Sequence, residues 1–304
     1  MNKREKLLNK LQKIEPKMIE HLENIENKFK LVLLRKEKGL MKAFSIFLKN
    51  FFNIDLKITT RTFFNRKINI YLADQQASGL YFFGALYAEE LKITKFIIKN
   101  LKENDIFYDI GACYGFFTLL AQELIDIEKG EIHSFEPLPR IFNLLKKNAL
   151  LERFKNTFLN NLALSDSCGF ANFINRERFR DSGGSSLIFQ NIKPGEQIIK
   201  VPTITLEEYT KNHKPPTIMK IDVEGAEYLV LKGGEKLLKE HKPIIIMEFG
   251  LDDLHKKAVN FLIENEYKMY SLDNEGDLKV IHEEDINKIF EGQLKYDANY
   301  VFIE

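Results

Sequence analysis

The sequence predicts an α/β fold built on a doubly wound, mostly parallel sheet, with a helical extension at its N-terminus. Three features carry that prediction. From about residue 84 onward, strand-like runs alternate with helix-like ones, the pattern of a parallel sheet with crossover helices. The run "PIIIMEF" (243–249) is almost wholly apolar, as in a strand covered on both faces. A glycine-bearing turn, "DIGACYGFF" (109–117), joins an apolar run to a helix-like one, where such sheets hold ligands.

The elements follow in order. Residues 1 to about 50 read as helical, with Leu11, Ile14, Met18, Leu22, Ile25 and Phe29 recurring at three- and four-residue steps. Pro16 is expected to interrupt or kink that stripe. A second apolar face lies in "LMKAFSIFLKNFFNI" (40–54). Residues 57–74 are rich in β-branched and aromatic types around "NRK" and predict a hairpin. Residues 1–56 are therefore assigned to the extension and 57–304 to the main domain. A helix over 85–101 leads to a strand at 106–110 and a helix from about Gly115. "GEIHSFEP", "TFLNNLAL" and "TIMKID" read as further strands, with "PRIFNLLKKNALL" and "LEEYTKN" as helices between them. Residues 169–201 are irregular and β-prone. "AEYLVLKGGEKLLKEH" is helical with a break at Gly233-Gly234, and "DLHKKAVNFLIENEY" is helical throughout. The late hairpin "KMYSLDNEGDLKVI" and the closing strand "NYVFIE" predict antiparallel final strands.

Composition excludes several classes. Lys and Arg number 45 against 44 for Asp and Glu, so a net charge of +1 supplies no field to steer nucleic acid. Cys113 and Cys168 form neither a metal-ligand spacing nor a disulfide scaffold, which fits a reducing cytoplasm. The opening "MNKREKLLNKLQKIEPKMIE" is broken by charge throughout, unlike a secretory signal or a membrane span.

The glycine turn discriminates between cofactors. A dinucleotide fingerprint places a second glycine where backbone approaches a pyrophosphate, and Cys113 stands there instead. Asp109 adds a carboxylate near the same helix start, unfavourable for a phosphate and suited to an ammonium group. Glu136, 21 residues after Gly115, is placed to accept ribose hydroxyls, and Pro137 fixes the turn that presents it. A cofactor with an amino acid at one end, a nucleoside at the other and no phosphate fits; S-adenosylmethionine is one. A second constellation, "MKIDVEGAEYLVLKGG" (219–234), gathers Lys220, Asp222, Glu224 and Glu227 at one strand end. Gly225 permits a sharp turn, and both glutamates are expected in the first turn of the next helix. With no histidine in the motif, no metal is expected.

The segments "DIGACYGFFTLLA", "HSFEPLPRIFNLLKKN", "NNLALSD", "VPTITLEEY", "MKIDVEGAEYLVLKGG" and "PIIIMEF" resemble, in this order, the FkbM-family methyltransferases. The resemblance covers roughly residues 80–304. It implies a seven-stranded Rossmann-like methyltransferase sheet and methyl transfer to a hydroxyl of a sugar or other small molecule. Asp109, Gly111 and Gly115, with Ala112 and Tyr114 between them, match its first cofactor motif, and Glu136 with Pro137 matches its "EP" motif. Asn161 and Ala163 match a segment placed near the adenine, and Asp222 and Glu224 match its acidic core. Cys113 replaces the family's usual Asn, and Glu207-Glu208 replaces a frequent Leu-Asp.

A hydroxyl acceptor needs a base, and the candidates are Asp222, Glu224 and Glu248, with His255 as a fourth. The loop "RERFRDSGGSSL" (176–187), with Arg176, Arg178 and Arg180 beside Gly183-Gly184, suits a substrate lid. Segment 40–54 is compatible with a membrane-peripheral protein and a lipid-linked substrate, and the N-terminal helices with a homodimer. Two other readings stand beside the small-molecule or glycan O-methyltransferase: a methyltransferase of protein or nucleic acid, and a non-catalytic module keeping the fold.

Overall fold

The computed structural model describes residues 2–23, 36–87, 89–149, 154–176, 181, 184–187, 196–294 and 297–304. Ile25, Phe29, Arg178, Arg180 and Gly183 of the sequence reading lie outside the described residues. The chain opens with helices α1 (Lys3–Glu23) and α2 (Lys36–Phe52), then an antiparallel hairpin, β1 (Lys57–Arg61) and β2 (Lys67–Tyr71). Two helices follow, α3 (Ala77–Phe83) and α4 (Glu89–Asn100). α1 runs through Pro16 without ending there and buries Leu7, Leu11 and Met18. It is fastened to α4 by the Arg4 guanidinium, which donates to the Ile98 and Leu101 carbonyls, and by Glu15, 2.8 Å from the Lys95 ammonium.

The central region alternates as the sequence predicts: β3 (Ile106–Ile110), α5 (Phe116–Leu124), β4 (Glu131–Phe135), α6 (Pro139–Ala149) and β5 (Thr157–Asn160). "TFLNNLAL" is not one strand. It divides at Asn161-Leu162 into β5 and β6 (Ala163–Leu164), and β6 joins a separate three-stranded sheet with β7 (Gly169–Asn175) and β8 (Gln197–Ile204). The chain continues with α7 (Leu206–Thr210), β9 (Ile218–Ile221), α8 (Glu227–Lys232), α9 (Glu235–His241) and β10 (Ile244–Glu248). It closes with α10 (Asp253–Glu264), β11 (Lys268–Leu272), β12 (Leu278–Val280), α11 (Glu283–Phe290) and β13 (Asn299–Ile303). Neither α3 nor α11 was read from the sequence.

The large sheet has the order β12-β11-β13-β10-β9-β3-β4-β5. Strands β10, β9, β3, β4 and β5 are parallel, whereas β13, β11 and β12 pair antiparallel. Seven of these strands are those the resemblance implies, and the three-residue β12 extends the edge. Adjacent residues point to opposite faces of a strand. Phe107, Ile218, Ile246 and Val301 accordingly enter one core, and Tyr108, Met219, Ile245 and Phe302 the other. Coverage of both faces explains the apolar runs. The order reverses between β3 and β9, which puts the ligand crevice outside their carboxyl ends.

Candidate active site

At that reversal lies a cleft of about 1210 Å³, counting its opening to solvent. Its floor is the glycine turn. Gly111 adopts φ +81°, and a Cβ there would fall 1.8 Å from the Asp222 carbonyl oxygen. Glycine is required because the turn runs against the end of β9. Gly115 also takes a positive φ, and a Cβ on it would press to 2.5 Å from a Leu145 methyl. Cys113 is left-handed as well, at φ +48°, a conformation asparagine tolerates better than cysteine.

The turn's amides are already engaged. Gly111 and Ala112 donate to the Phe135 carbonyl, and Gly115 donates to that of Ala112. The Cys113 amide donates to Glu136 Oε2 at 3.0 Å. A diphosphate therefore finds none of these four donors, and a carboxylate occupies its place. The other oxygen of Glu136 accepts from the Leu138 amide at 2.8 Å, so the acid is held from two sides while lining the cleft. Asn161 does not line the cleft; its amide donates to the Glu136 and Pro137 carbonyls and steadies the loop that presents Glu136. Pro137 and Ala163 do line it, as do Ala112 and Tyr114. The Tyr114 hydroxyl is anchored to Asp74 at 2.9 Å.

Asp109 departs from expectation. It sits behind the turn, fully buried, with Oδ2 accepting from the Thr118 hydroxyl at 2.6 Å and Oδ1 sealed from solvent. Its carboxylate is not part of the cleft lining. Burial raises its pKa, against the pull of the Lys220 charge. Gly115 likewise lies outside the cleft lining.

The opposite wall is acidic. Asp222, Glu224 and Glu248 line the cleft, each offering a carboxylate oxygen within 4.8 Å of the others. Lys220, nearly fully buried, places its ammonium 2.6 Å from Asp222 and 5.1 Å from the centre of the Phe117 ring. Burial opposes the charge on Lys220, but Asp222 and Asp109 outweigh it and hold its pKa above the ordinary value. Glu224 is pushed up to about 8 by burial and by repulsion from Asp222, Asp181 and Glu227. Glu248 is pushed up to about 11 by burial and by repulsion from Asp222, Glu224 and Glu227. A metal was set aside on sequence for want of a histidine. The fold adds Glu248 to the pair, and three oxygens so spaced suit a hard divalent cation as well as an organic one.

Glu224 precedes α8 rather than lying in its first turn, at φ +55° with Gly225 at +95° after it. Glu227 does occupy the first turn and accepts from the Val223 amide at 3.0 Å, closing the turn. His255 is drawn away from the cleft, bound to Asp252 at 2.8 Å and 3.3 Å from Glu227. Glu207 and Glu208 do not line the cleft: Thr205 caps α7 by accepting from the Glu208 amide, and Glu207 accepts from the Lys236 amide in the first turn of α9. From the proposed lid, Ser185 and Leu187 line the cleft, and the Ser186 hydroxyl donates to the Glu224 carbonyl at 2.7 Å. Arg176 is turned to Glu196 at 2.8 Å. Sequence reasoning missed Gln76, Leu80 and Leu86 on one rim and Asn299 on another. None of the four carries a motif, and Asn299 reaches the cleft by pairing opposite Glu248.

The residues fit S-adenosylmethionine. The turn's amides are already engaged, Glu136 is held as an acceptor lining the cleft, and an acidic wall faces the cleft where a sulfonium would be balanced. A doubly wound sheet with these strand ends is the architecture of the class I, S-adenosylmethionine-dependent methyltransferases. The model of the FkbM methyltransferase domain matches residues 109–269, just over half of the chain, and the chain belongs to that family. No curated protein matches it. Among solved structures it is similar to methyltransferase FkbM from Methylobacillus flagellatus KT, at 16% identity and a TM-score of 0.41 over 75% of this chain. That match takes in 48% of the other protein, so the chain spans about half of its length. It is similar also to an S-adenosylmethionine-dependent O-methyltransferase from Thermotoga maritima, at 10% identity and a TM-score of 0.40 over 81% of this chain and 76% of that one. Aeropyrum pernix fibrillarin with bound S-adenosyl-L-methionine gives 11% identity and a TM-score of 0.40 over 82% and 99%.

Proposed function

We propose that the chain transfers a methyl group to a hydroxyl of a sugar, a glycan or another small molecule. The observation that carries this reading is the acidic wall of Asp222, Glu224 and Glu248 gathered around the cleft. S-adenosylmethionine, when bound, supplies a methyl carbon open to in-line displacement. A hydroxyl attacks that carbon well only as it loses its proton, so a base within reach is needed. Asp222 is engaged by Lys220, and Glu248 holds a proton at neutral pH. Glu224, pushed up to about 8, titrates nearest to neutral pH and in its ionised form can take the hydroxyl proton. Glu136 receives the ribose hydroxyls, and Ala163, with Leu162 and Leu164 beside it, walls the adenine side. Asp109 acts from behind, as a counter-charge for Lys220.

Calorimetric titration of S-adenosylmethionine and of NAD tests the cofactor half; only the former should bind. Methyl-labelled cofactor, incubated with glycan, protein and nucleic-acid fractions, tests the acceptor half. Label in a hydroxylated glycan or small-molecule fraction supports the reading, and label confined to protein or nucleic acid sinks it. Once an acceptor is known, Glu224→Gln should lower turnover by roughly 10²- to 10⁴-fold.

A further inference from the structure

Helix α2 wears its polarity inside out. Ser45 is fully buried and Lys49 only 6% exposed, whereas Phe44 is 56% and Phe51 73% exposed. Its polar side is tied to the body. The Lys42 ammonium donates to the Asp74 carbonyl at 2.7 Å, Lys38 to the Tyr81 carbonyl at 2.9 Å, and Lys49 pairs with Asp55 at 2.7 Å. The outward side carries Leu40, Phe44, Phe47 and Phe51 at helical spacing, widened by Met41 and Phe52. The three lysine contacts fix this orientation, so the apolar stripe cannot roll inward without breaking them. Exposed apolar patches of this kind mark interaction surfaces.

Charge selects the occupant. Residues 36–57 contain five lysines against Glu37 and Asp55 alone. Lys49 is buried on Asp55, while Lys38 and Lys42, bonded to carbonyls, flank the stripe as cations. A second copy would set two such segments face to face, whereas anionic headgroups complement them. A helix of 17 residues is about 25 Å long, and no helix among the described residues is long and apolar enough to cross a membrane. It would lie flat. α2 also rests on the segment that walls the cleft. Asp74, whose carbonyl takes Lys42, holds Tyr114 of the cleft floor, and Gln76 and Leu80 beyond it line the rim.

We infer that α2 is an interfacial helix that seats the protein on an anionic bilayer, and that the acceptor hydroxyl is borne by a lipid of that surface. The second half rests on the hydroxyl methyltransferase reading; the first does not. The test is sedimentation of the full chain with phosphatidylcholine vesicles, with and without phosphatidylglycerol. Binding should be at least about tenfold stronger with the anionic lipid. The Phe44→Glu, Phe47→Glu, Phe51→Glu variant should lose at least about tenfold of it, and single Phe51→Glu a smaller part. Affinity for S-adenosylmethionine should stay unchanged in both, which also reports that they fold. No vesicle binding by the natural chain, or equal binding by the triple variant, overturns the membrane seat. So does a natural dimer in light scattering that the triple variant makes monomeric without vesicles taking any part. Labelled methyl in a chloroform–methanol extract of membrane lipids supports the lipid-borne acceptor, and label in the aqueous phase alone overturns it. A chain that binds vesicles but not S-adenosylmethionine would retire the enzyme reading and leave the membrane seat standing.

Discussion

Glu136, just after β4, Glu224, after β9, and Glu248, the last residue of β10, are acids at the carboxyl ends of strands in one sheet, yet their surroundings differ. Both oxygens of Glu136 receive backbone amides, from Cys113 and Leu138, so its geometry is fixed by the chain itself. Glu224 and Glu248 crowd each other and Asp222, and Glu248 Oε2 is buried without a hydrogen bond. The first arrangement orients a carboxylate for neutral donors such as hydroxyls. The second stores negative charge that only a proton or a cation relieves. On the proposed function the first side takes the nucleoside and the second the sulfonium, and the two should fail differently when altered.

The largest effect is expected at the cation that makes the acidic side tolerable. Lys220→Met leaves Asp222 and its neighbours uncompensated and should cost about 3–5 kcal/mol in urea unfolding. An unchanged midpoint would mean that the acids do not depend on Lys220. On the nucleoside side, Glu136→Ala should weaken S-adenosylmethionine by roughly 100-fold, or about 2–3 kcal/mol, in calorimetry. Equal affinity would remove Glu136 from the site.

A smaller effect of opposite sign separates the two acids. Glu248 has its folded-state pKa raised, so it detracts from stability increasingly as pH climbs above the ordinary carboxylate value toward about 11. Glu248→Gln should therefore stabilise the unliganded protein by about 1 kcal/mol at mildly alkaline pH and by less in acid. Unfolding curves at pH ~5 and ~9 check the trend, and a gain that shrinks with rising pH would contradict it. Last, a cation arriving beside Glu224 favours its ionised form and lowers its pKa from about 8. Binding of S-adenosylmethionine near neutral pH should then release a fraction of a proton, read as a dependence of calorimetric heat on buffer. Proton uptake would place the charge elsewhere.

Much of this was legible in the residues. Apolar runs fixed the parallel strands, because both sheet faces are covered, and the break at Gly233-Gly234 fell where α8 gives way to α9. Asp222 and Glu224 read as one constellation and Glu248 as the end of another strand, and the parallel register of β9 and β10 brings the three together. What stayed hidden depends on depth and tertiary partners. Asp109 reads like a ligand contact, but Thr118 and Lys220 enclose it. The division of "TFLNNLAL" is set by a second sheet formed with β8, forty residues later, and no local pattern announces it. The rim residues Gln76, Leu80 and Leu86 lie in ordinary helix and loop sequence and reach the cleft only by tertiary position.

The most direct measurement is a paired calorimetric titration of S-adenosylmethionine and S-adenosylhomocysteine, which lacks the sulfonium charge, into the natural chain, Glu136→Ala and Glu224→Gln. The two-sided cleft predicts that the natural chain prefers the sulfonium form at mildly alkaline pH. Glu136→Ala should weaken both ligands alike, and Glu224→Gln should narrow the preference. A preference that collapses in Glu136→Ala and survives in Glu224→Gln would contradict the division of the site.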